Sequence, residues 1–292
     1  AMLDTTSLGA IWSSCSPDFG IAGVLDRFGQ IEPKAIFTAD GYHYAGKTLD
    51  SIAPMAGVLK SLRSVTTVIV VEQISSNSDL ATLEDNGRRA LRFEQMGSSH
   101  AKLQFQRLPF DHPLFVMYSS GTTGKPKCIV HGAGGTLLQH LKEHQLHVDL
   151  KRDDRLFYYT TCGWMMWNWL VSGLASGAAL VLYDGSPTHP DSGTLWRIAE
   201  TEHVSIFGTS PKYLAALEKS SYRPRERHSL PALRTVLSTG SPLSPEGFDF
   251  VYKDIKTDVQ LASISGGTDI VSCFCLGNPS GSVHRGEIQC AG

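Results

Sequence analysis

The residues best suited to chemistry lie at positions 118–127, where the sequence reads Tyr-Ser-Ser-Gly-Thr-Thr-Gly-Lys-Pro-Lys. Glycine-rich turns expose backbone N–H groups, and hydroxyl and ammonium groups can join them in binding the oxygens of a phosphate. The apolar run Leu114–Met117 directly before this stretch predicts a buried strand. A strand at that point favours a fixed anion site over the alternative, a flexible surface turn with solvated lysines.

The spacing in this stretch differs from that of a nucleoside-triphosphatase P-loop. A P-loop has the pattern G-x-x-x-x-G-K-S/T, whereas Gly121 and Gly124 are separated by Thr122 and Thr123 alone. Pro126 also follows the first lysine, where it would disrupt the helix that a P-loop lysine normally opens. The sequence therefore predicts a phosphate-binding loop of another kind, and it disfavours a phosphotransferase.

Three later stretches also combine small, polar and aromatic residues: Tyr-Thr-Thr-Cys-Gly-Trp-Met-Met-Trp-Asn at 159–168, Ser-Thr-Gly-Ser-Pro at 238–242, and Ser-Gly-Gly-Thr-Asp at 265–269. Each follows a predicted strand, and ligands of open α/β sheets collect beyond the carboxyl ends of strands. Taken singly, the second is also an ordinary turn and the third could be a capping turn. Their convergence at one site is a prediction.

Strands and helices alternate along the chain, which predicts an α/β fold with largely parallel sheets. Residues 75–100 are polar and short of apolar residues, and they are expected to form a surface excursion. Ser210 followed by Pro211, and Ser244 followed by Pro245, each predict a helix start. The remaining periodic segments predict strands at 35–38, 67–71, 156–159, 179–183, 204–207, 235–237 and 259–262, and helices at 52–62, 165–175 and 195–202.

Together, the four motif stretches resemble, in the expected order, the signatures of the adenylate-forming enzymes. This superfamily contains acyl-CoA synthetases, luciferases and peptide-synthetase adenylation domains, and the whole chain most resembles the members that activate acetoacetate. The resemblance implies part of the large N-terminal domain, with parallel-rich sheets, incomplete at both ends. Residues 1–112 would form a portion of its first β-α-β subdomain, and residues 113–292 the portion with the phosphate loop and acyl pocket. The hinge, the ribose-binding Asp and the small C-terminal domain with its catalytic Lys would lie outside the chain.

The resemblance also implies roles for individual residues. Thr268 would contact the α-phosphate and Asp269 would carry Mg²⁺, and these two residues with Lys125 form the expected catalytic set. Most relatives have Glu where this chain has Asp269, so the metal would shift slightly or bind through a water. Gly240, Ser241 and Pro242 would lie against the adenine, although many CoA synthetases have Glu at the middle position. The groups expected to bind the ATP phosphates are Ser119, Ser120, Gly121, Thr122, Thr123, Gly124, Lys125 and Lys127.

The acyl pocket implied by the resemblance is lined by Gly163, Trp164, Met165, Met166, Thr239 and Gly266. Acetyl-specific relatives close the pocket with a Trp at the position of Gly266, so glycine is expected to leave room for a four-carbon acid. Thr239 stands where those relatives have Val, and its hydroxyl is expected to bond a 3-oxo group, worth about 0.5–1.5 kcal/mol net. Trp164 or Met165 could equally be core residues. The expected substrates are acetoacetate, ATP with Mg²⁺, and CoA, and another short- or medium-chain acid is the alternative.

Composition excludes several classes of protein. The formal net charge of −2 over 292 residues gives no bulk attraction to nucleic acid or anionic membrane. No apolar run approaches the roughly 20 residues that a membrane helix requires, and no secretory signal is evident at the start. The six cysteines are scattered without a CxxC pair, which is typical of a cytoplasmic protein. His140 and His144 have metal-ligand spacing but no evident third ligand, and His131 is expected to be structural.

The resemblance places the C-terminal catalytic Lys outside this chain. The chain by itself is therefore expected to be poorly active or inactive in acyl transfer. A truncated product that only binds nucleotide or a partner is the alternative from a different functional class.

Overall fold

The computed structural model of the chain describes residues 1–85, 87–97, 102–119 and 124–292. These residues form two compact units, Ala1–Ala133 and Gly134–Gly292. In this division, which follows contacts within the structure, residues 113–133 belong to the first unit. The division after residue 112, which is inferred from the motifs, separates functional portions of the chain and stays a prediction. Ser120, Gly121, Thr122 and Thr123, at the centre of the expected phosphate loop, lie outside the described residues.

The first unit alternates helices and strands. In chain order its elements are α1 (Met2–Ser7), α2 (Ile21–Ile31), β1 (Ala35–Ala39), β2 (Gly41–Tyr44), β3 (Lys47–Asp50), α3 (Ile52–Leu59), β4 (Thr67–Val71), β5 (Arg89–Arg92), β6 (Pro113–Ser119) and β7 (Lys127–Gly132), with 3₁₀ turns at Ala81–Leu83 and Phe93–Gln95. Strands β1, β4 and β5 form a parallel sheet in the order β1-β4-β5, while β2–β3 and β6–β7 are antiparallel hairpins. The β-branched run of β4 is almost entirely buried, as expected for the central strand of a covered parallel sheet.

Residues 75–100 are more than a surface excursion, which corrects the expectation from their polarity. The segment contains β5, which pairs with β4, and Leu83, which is fully buried in the core of the first unit. The loop before it is held by Asp40, whose carboxylate accepts hydrogen bonds from three consecutive backbone N–H groups, those of residues 73–75, and from the Ser78 hydroxyl. Burial alone would raise the pKa of Asp40, but these donors outweigh it and lower the pKa.

The second unit follows the same alternation around a larger sheet. Its elements, with the first beginning at the unit boundary, are α4 (Ala133–Lys142), β8 (Arg155–Tyr158), α5 (Met165–Ser172), β9 (Ala179–Val181), α6 (Thr194–Thr201), β10 (Ile206–Thr209), α7 (Pro211–Lys219), α8 (Pro224–Arg227), β11 (Thr235–Ser238), α9 (Pro245–Phe250), β12 (Gln260–Ser263), β13 (Ser265–Gly267), β14 (Ser272–Leu276) and β15 (Cys290–Ala291). A π-helical turn at Glu143–His147 continues α4, and a second at Val251–Ile255 continues α9. Residues 173–176 form a 3₁₀ turn after α5.

Five parallel strands form the main sheet of the second unit, in the order β12-β11-β10-β8-β9. Strands β10 and β11 are buried along their whole length, and each has two large apolar residues, Ile206 and Phe207 in β10 and Val236 and Leu237 in β11. Trp196 of α6 stacks on Phe207 of β10 with ring centroids 4.5 Å apart. Strands β13, β14 and β15 form a separate antiparallel sheet. The prediction of an α/β fold with parallel-rich sheets is confirmed.

Two helix starts form as the sequence predicts. The Ser210 hydroxyl accepts a hydrogen bond from the backbone N–H of Tyr213 at the start of α7. The Ser244 hydroxyl accepts one from Gly247 at the start of α9. These caps satisfy backbone donors that the first turn of a helix leaves unpaired. Among the described residues, no helix is both long and apolar enough to cross a membrane.

Candidate active site

The expected phosphate loop connects the two strands of the β6–β7 hairpin. Ser119, the last residue of β6, pairs with Lys127, the first residue of β7, so both stand at the mouth of the loop. A strand, and not a helix, follows the lysines, which agrees with the exclusion of a P-loop. Gly124 and both lysines are exposed. The described part of the loop thus presents two ammonium groups to solvent at the end of the β6–β7 hairpin.

Helix α2 contacts the carboxyl end of this loop. The Lys125 Nζ lies 3.6 Å from Asp26 Oδ1, and Gln30 Nε2 donates a 2.8 Å hydrogen bond to the Pro126 carbonyl. The Lys125 side chain is 76% exposed and Asp26 is 41% exposed, so solvent screens their attraction. Lys125 can therefore turn toward a phosphate at little cost, while Gln30 holds the backbone beside it. The role of α2 was not evident from the sequence, because these contacts join residues far apart in the chain.

Tyr118 forms the base of the loop. Its hydroxyl lies 3.0 Å from Ser13 Oγ, which donates a hydrogen bond to the Val116 carbonyl. Burial raises the pKa of Tyr118 far above its usual range, so the side chain stays uncharged. The base of the loop therefore adds no negative charge that would repel a phosphate.

The other three motif stretches, all in the second unit, begin at one edge of the main sheet. Strands β8, β11 and β12 run parallel, and the stretches at 159–168, 239–242 and 265–269 follow their carboxyl ends. The backbone hydrogen bonding of the parallel sheet continues into the first two of these stretches. The Tyr159 N–H donates to the Gly208 carbonyl, and the Thr239 N–H donates to the Thr209 carbonyl. The sheet therefore brings these three stretches together, as the strand-end rule predicts. Their convergence with the phosphate loop stays a prediction.

Trp164 packs against the Gly240 turn. Gly240 has a φ of +105°, and a Cβ placed there would lie 3.1 and 3.3 Å from two ring carbons of Trp164. Both the backbone angle and the close approach therefore require glycine. Ser241 and Pro242 are exposed next to it, and Trp164 is itself 42% exposed. The arrangement is a small shelf on which the flat face of a planar ring could rest.

The remaining residues of the expected pocket wall differ in burial. Gly163 is half-buried just before Trp164, whereas Met165 and Met166, in the first turn of α5, are 9% and 3% exposed. The two methionines are core residues in this conformation. Trp164 is therefore the exposed member of this wall.

Thr239 and Gly266 are placed differently from what their expected roles require. The Thr239 hydroxyl donates a 2.9 Å hydrogen bond to the Ile264 carbonyl, so its one proton is already engaged. A 3-oxo oxygen also needs a donor, and gaining that bond would mean losing the bond to Ile264. A Cβ at Gly266 would lie 2.3 Å from the Ser272 carbonyl oxygen and 2.8 Å from the Cα of Cys273, so this position faces the backbone of β14. Glycine here permits close pairing of β13 with β14.

Thr268 and Asp269 lie in the turn between β13 and β14. Thr268 is half-buried and Asp269 is exposed. The Val271 N–H donates to the Thr268 carbonyl at 3.2 Å and closes the turn. No cluster of three or more His, Cys, Asp or Glu side chains with metal-binding geometry occurs among the described residues. A single exposed carboxylate still suits Mg²⁺ that arrives with a triphosphate, since such ions keep several waters and need one or two carboxylates.

Two of the histidines that the sequence singled out, His140 and His144, form buried hydrogen bonds to backbone carbonyls. His140 and His144 are fully buried, and their Nε2 atoms lie 2.8 Å from the Val271 carbonyl and 2.9 Å from the Trp169 carbonyl. Burial lowers the pKa of His144 to about 3, which keeps it uncharged. His131 is buried in β7.

Residues 1–289 match the protein family described as AMP-binding enzyme, and the chain belongs to this family. An acetoacetyl-coenzyme A synthetase of Rhizobium meliloti (strain 1021) is 59% identical over 288 residues, 99% of this chain and 44% of that protein. A malonamoyl-CoA synthetase of Penicillium aethiopicum is 43% identical over 307 residues, 99% of this chain and 42% of that protein. A solved structure of an acetoacetyl-CoA synthetase from Streptomyces lividans has a TM-score of 0.92 and 44% identity, covering 100% of this chain and 44% of that one. The chain thus spans less than half the length of these relatives.

Proposed function

We propose that the full-length protein containing this chain is an ATP-dependent ligase that activates acetoacetate. The carboxylate would attack the α-phosphate of ATP, forming an enzyme-bound acyl-adenylate and releasing pyrophosphate. The thiol of CoA would then attack the acyl carbon, giving acetoacetyl-CoA and AMP. The observation that carries the proposal is the arrangement of three family motifs at one edge of a parallel sheet, in a chain that is 59% identical to an acetoacetyl-CoA synthetase.

The main obstacle in the first step is electrostatic, because an anionic carboxylate must approach a polyanion. We assign the binding and partial neutralisation of the triphosphate to Lys125, Lys127 and the hydroxyl-rich loop before them, which includes Ser119. Thr268 would contact the α-phosphate, and Asp269 would be the residue that holds Mg²⁺. When bound, Mg²⁺ would supply positive charge that favours release of pyrophosphate.

We assign the adenine to the shelf formed by Trp164 and the Gly240–Pro242 turn. A glycine with open backbone on one side and an indole on the other fits a flat aromatic base, which gains from stacking. Selection of the acid is assigned to the same neighbourhood, but the hydroxyl of Thr239 is not proposed as the donor to a 3-oxo group. Its proposed role is to join the loop after β11 to the loop after β12 through Ile264.

A close alternative is a ligase for a related acid with the same spacing of polar groups. Malonamate, the acid named by the Penicillium aethiopicum relative, shares with acetoacetate a carboxylate, a methylene and a carbonyl at position 3. The two acids differ only in the group beyond that carbonyl, an amide nitrogen or a methyl. The contacts described for Thr239 and Gly266 do not separate them.

The test is acid-dependent exchange of labelled pyrophosphate into ATP by the full-length protein. Acetoacetate, malonamate, acetate and butyrate would be compared at equal concentration, since they vary the 3-oxo group and the chain length separately. We expect the largest kcat/KM with acetoacetate and a much smaller value with butyrate, which lacks the oxygen. A larger value with butyrate or acetate would refute the assignment, and exchange driven by malonamate alone would support the alternative.

We also propose a reducing compartment such as the cytoplasm. The six cysteines are scattered along the sequence without a CxxC pair, and burial raises the pKa of both Cys128 and Cys273. Scattered thiols of this kind are typical of compartments that keep cysteines reduced.

A further inference from the structure

A group of fully buried polar side chains lies in the second unit beside the turn that carries Thr268 and Asp269. His140, Glu143 and His144 each have 0% exposure, and they lie on the end of α4 and the π-helical turn that follows it. Buried polar groups of this kind are retained where their hydrogen bonds fix a specific conformation.

His140 reaches from the helix to the turn. Its Nε2 lies 2.8 Å from the carbonyl oxygen of Val271, and a carbonyl only accepts, so Nε2 carries the proton and donates. The other ring nitrogen, Nδ1, lies 2.9 Å from the Ser172 hydroxyl, which fixes the ring in place. The imidazole therefore forms a rigid bridge from α5 to the β13–β14 turn.

The residue that His140 holds has an uncommon backbone conformation. Val271 has a φ of +49°, in the left-handed region that β-branched residues rarely adopt. The residue is 4% exposed, and its N–H closes the turn on the Thr268 carbonyl. Such a conformation persists only where the surrounding contacts impose it. The hydrogen bond from His140 is one of those contacts, and it acts directly on the turn.

Glu143 holds the strand that follows the turn through separate bonds. Its Oε1 accepts from the backbone N–H of Cys273 at 2.9 Å and from the Ser272 hydroxyl, and its Oε2 accepts from Trp169 Nε1 at 2.8 Å. Burial and the neighbouring Glu143 raise the pKa of the Cys273 thiol, so it stays protonated and can donate to the same carboxylate. Strand β14 is thus anchored independently of His140, and loss of the His140 bond should release the turn alone.

We propose that His140 is a positioning residue that sets the place of Asp269, and through it the metal, by holding Val271 in the left-handed conformation. This inference rests on the proposed function in one respect, namely that Asp269 carries the Mg²⁺ of Mg²⁺-ATP. His140 does not touch substrate in this account and acts through the turn.

The test uses three variants of the full-length protein. His140→Gln retains an amide nitrogen at about the distance of Nε2 and can still reach Val271. His140→Asn is shorter, keeps a polar partner for Ser172 and loses the reach to Val271. His144→Asn is the matched control, because His144 is equally buried one turn away but contacts Trp169 and Ser172 instead of the hairpin.

Two readouts separate positioning from general destabilisation. The first is hydrogen–deuterium exchange of the peptide covering residues 264–276, where His140→Asn should accelerate exchange and the other two variants should not. The second is the Mg²⁺ concentration that gives half-maximal binding of ATP, measured by calorimetry. We expect it to rise about tenfold in His140→Asn, equivalent to about 1.4 kcal/mol, and to stay within about twofold in His140→Gln and His144→Asn.

An unchanged Mg²⁺ requirement in His140→Asn, or an equal rise in His144→Asn, would overturn the proposal. A measurement that needs no substitution is NMR of wild-type protein labelled with ¹⁵N-histidine, in which His140 should show the Nε2–H tautomer. The Nδ1–H tautomer would refute the bond to Val271 even if the variants did not fold. None of these readouts depends on the acid, so a failed acetoacetate assay would refute the proposed function and leave this test intact.

Discussion

Gly240→Ala is the substitution for which the structure gives the sharpest expectation. The new methyl group would meet a backbone with φ of +105° and two carbons of the Trp164 ring at 3.1 and 3.3 Å. Ordinary contacts of a Cβ are longer, so either the ring or the turn must move. The same shelf is proposed to bind adenine, and the movement should therefore be visible in ATP binding.

The expected loss of stability in Gly240→Ala has two sources, the positive φ and the close contact with Trp164. Placing an L-residue in the left-handed region costs about 1–2 kcal/mol, and the close contact brings the total to about 1–3 kcal/mol. For a folded unit of this size, each kcal/mol corresponds to about 2–4 °C in melting temperature. We expect the melting temperature of the full-length protein to fall by several degrees and the KM for ATP to rise more than the kcat falls.

Gly87→Ala serves as the control, because Gly87 has a φ of +82° but nothing within 4 Å of its Cβ position. It carries the backbone cost without the contact, so the difference between the two variants measures the effect of Trp164. Adding Trp164→Ala to Gly240→Ala should recover that difference in stability. The reasoning would be refuted if Gly240→Ala behaved like Gly87→Ala in stability and left the KM for ATP unchanged.

Three further predictions concern single side chains. Asp40→Asn should lower the free energy of unfolding by about 2 kcal/mol at neutral pH, because the buried carboxylate accepts several hydrogen bonds. The pKa of Asp40 is lower in the folded state than in the unfolded state. Its contribution to the free energy of unfolding should therefore be present above the unfolded pKa of about 3.9 and be lost as the pH falls through the folded pKa. A stability difference between wild type and Asp40→Asn that stayed constant in urea titrations from pH 7 to 3 would contradict this prediction. Lys125→Ala should leave the melting temperature unchanged, because the ion pair of Lys125 with Asp26 is exposed. The same variant should lower the rate of adenylate formation about 100-fold, whereas Asp26→Asn should leave that rate unchanged. An equal loss of rate in both variants would indicate that the ion pair supports loop structure instead. Thr239→Val should lower the free energy of unfolding by about 1 kcal/mol, because the hydrogen bond to Ile264 is lost. The ratio of acetoacetate to butyrate turnover should stay within about twofold of the wild-type ratio. A tenfold fall in that ratio would show that the Thr239 hydroxyl does select the acid.

The sequence predicted most of the parallel core because its strands are short apolar runs bounded by turn residues. Strand β4, with its run of valines and isoleucine, forms where it was expected, at Thr67–Val71. Strand β5 was missed because its sequence, Arg-Ala-Leu-Arg, shows little hydrophobic character. It becomes a strand through pairing with β4, a contact that local pattern does not reveal. The antiparallel β13–β14 hairpin was missed for a similar reason, since Ser-Gly-Gly has low strand propensity.

The candidate site was predicted at the level of loops and less well at the level of atoms. Resemblance and strand order together indicated which loops meet at the sheet edge. The direction of the Thr239 hydroxyl and the Cβ direction at Gly266 depend on strand register and on a bulge between Ser265 and Gly266, which the sequence does not specify. The bridge from His140 to Val271 has one signal in the sequence, the i,i+4 spacing of His140 and His144. That spacing is compatible with metal binding but lacks an evident third ligand, and in the structure both histidines form hydrogen bonds.

The loops beyond β8, β11 and β12 leave the sheet from separate strands, but direct contacts join them to one another. The Trp164 ring lies against the Gly240 turn, and the Thr239 hydroxyl donates a hydrogen bond to the Ile264 carbonyl. Substitutions in two of these loops are therefore expected to be non-additive in their effect on stability, because residues in contact are coupled. Sequence change in one loop would then favour compensating change in its neighbours, so that the three loops evolve as one unit.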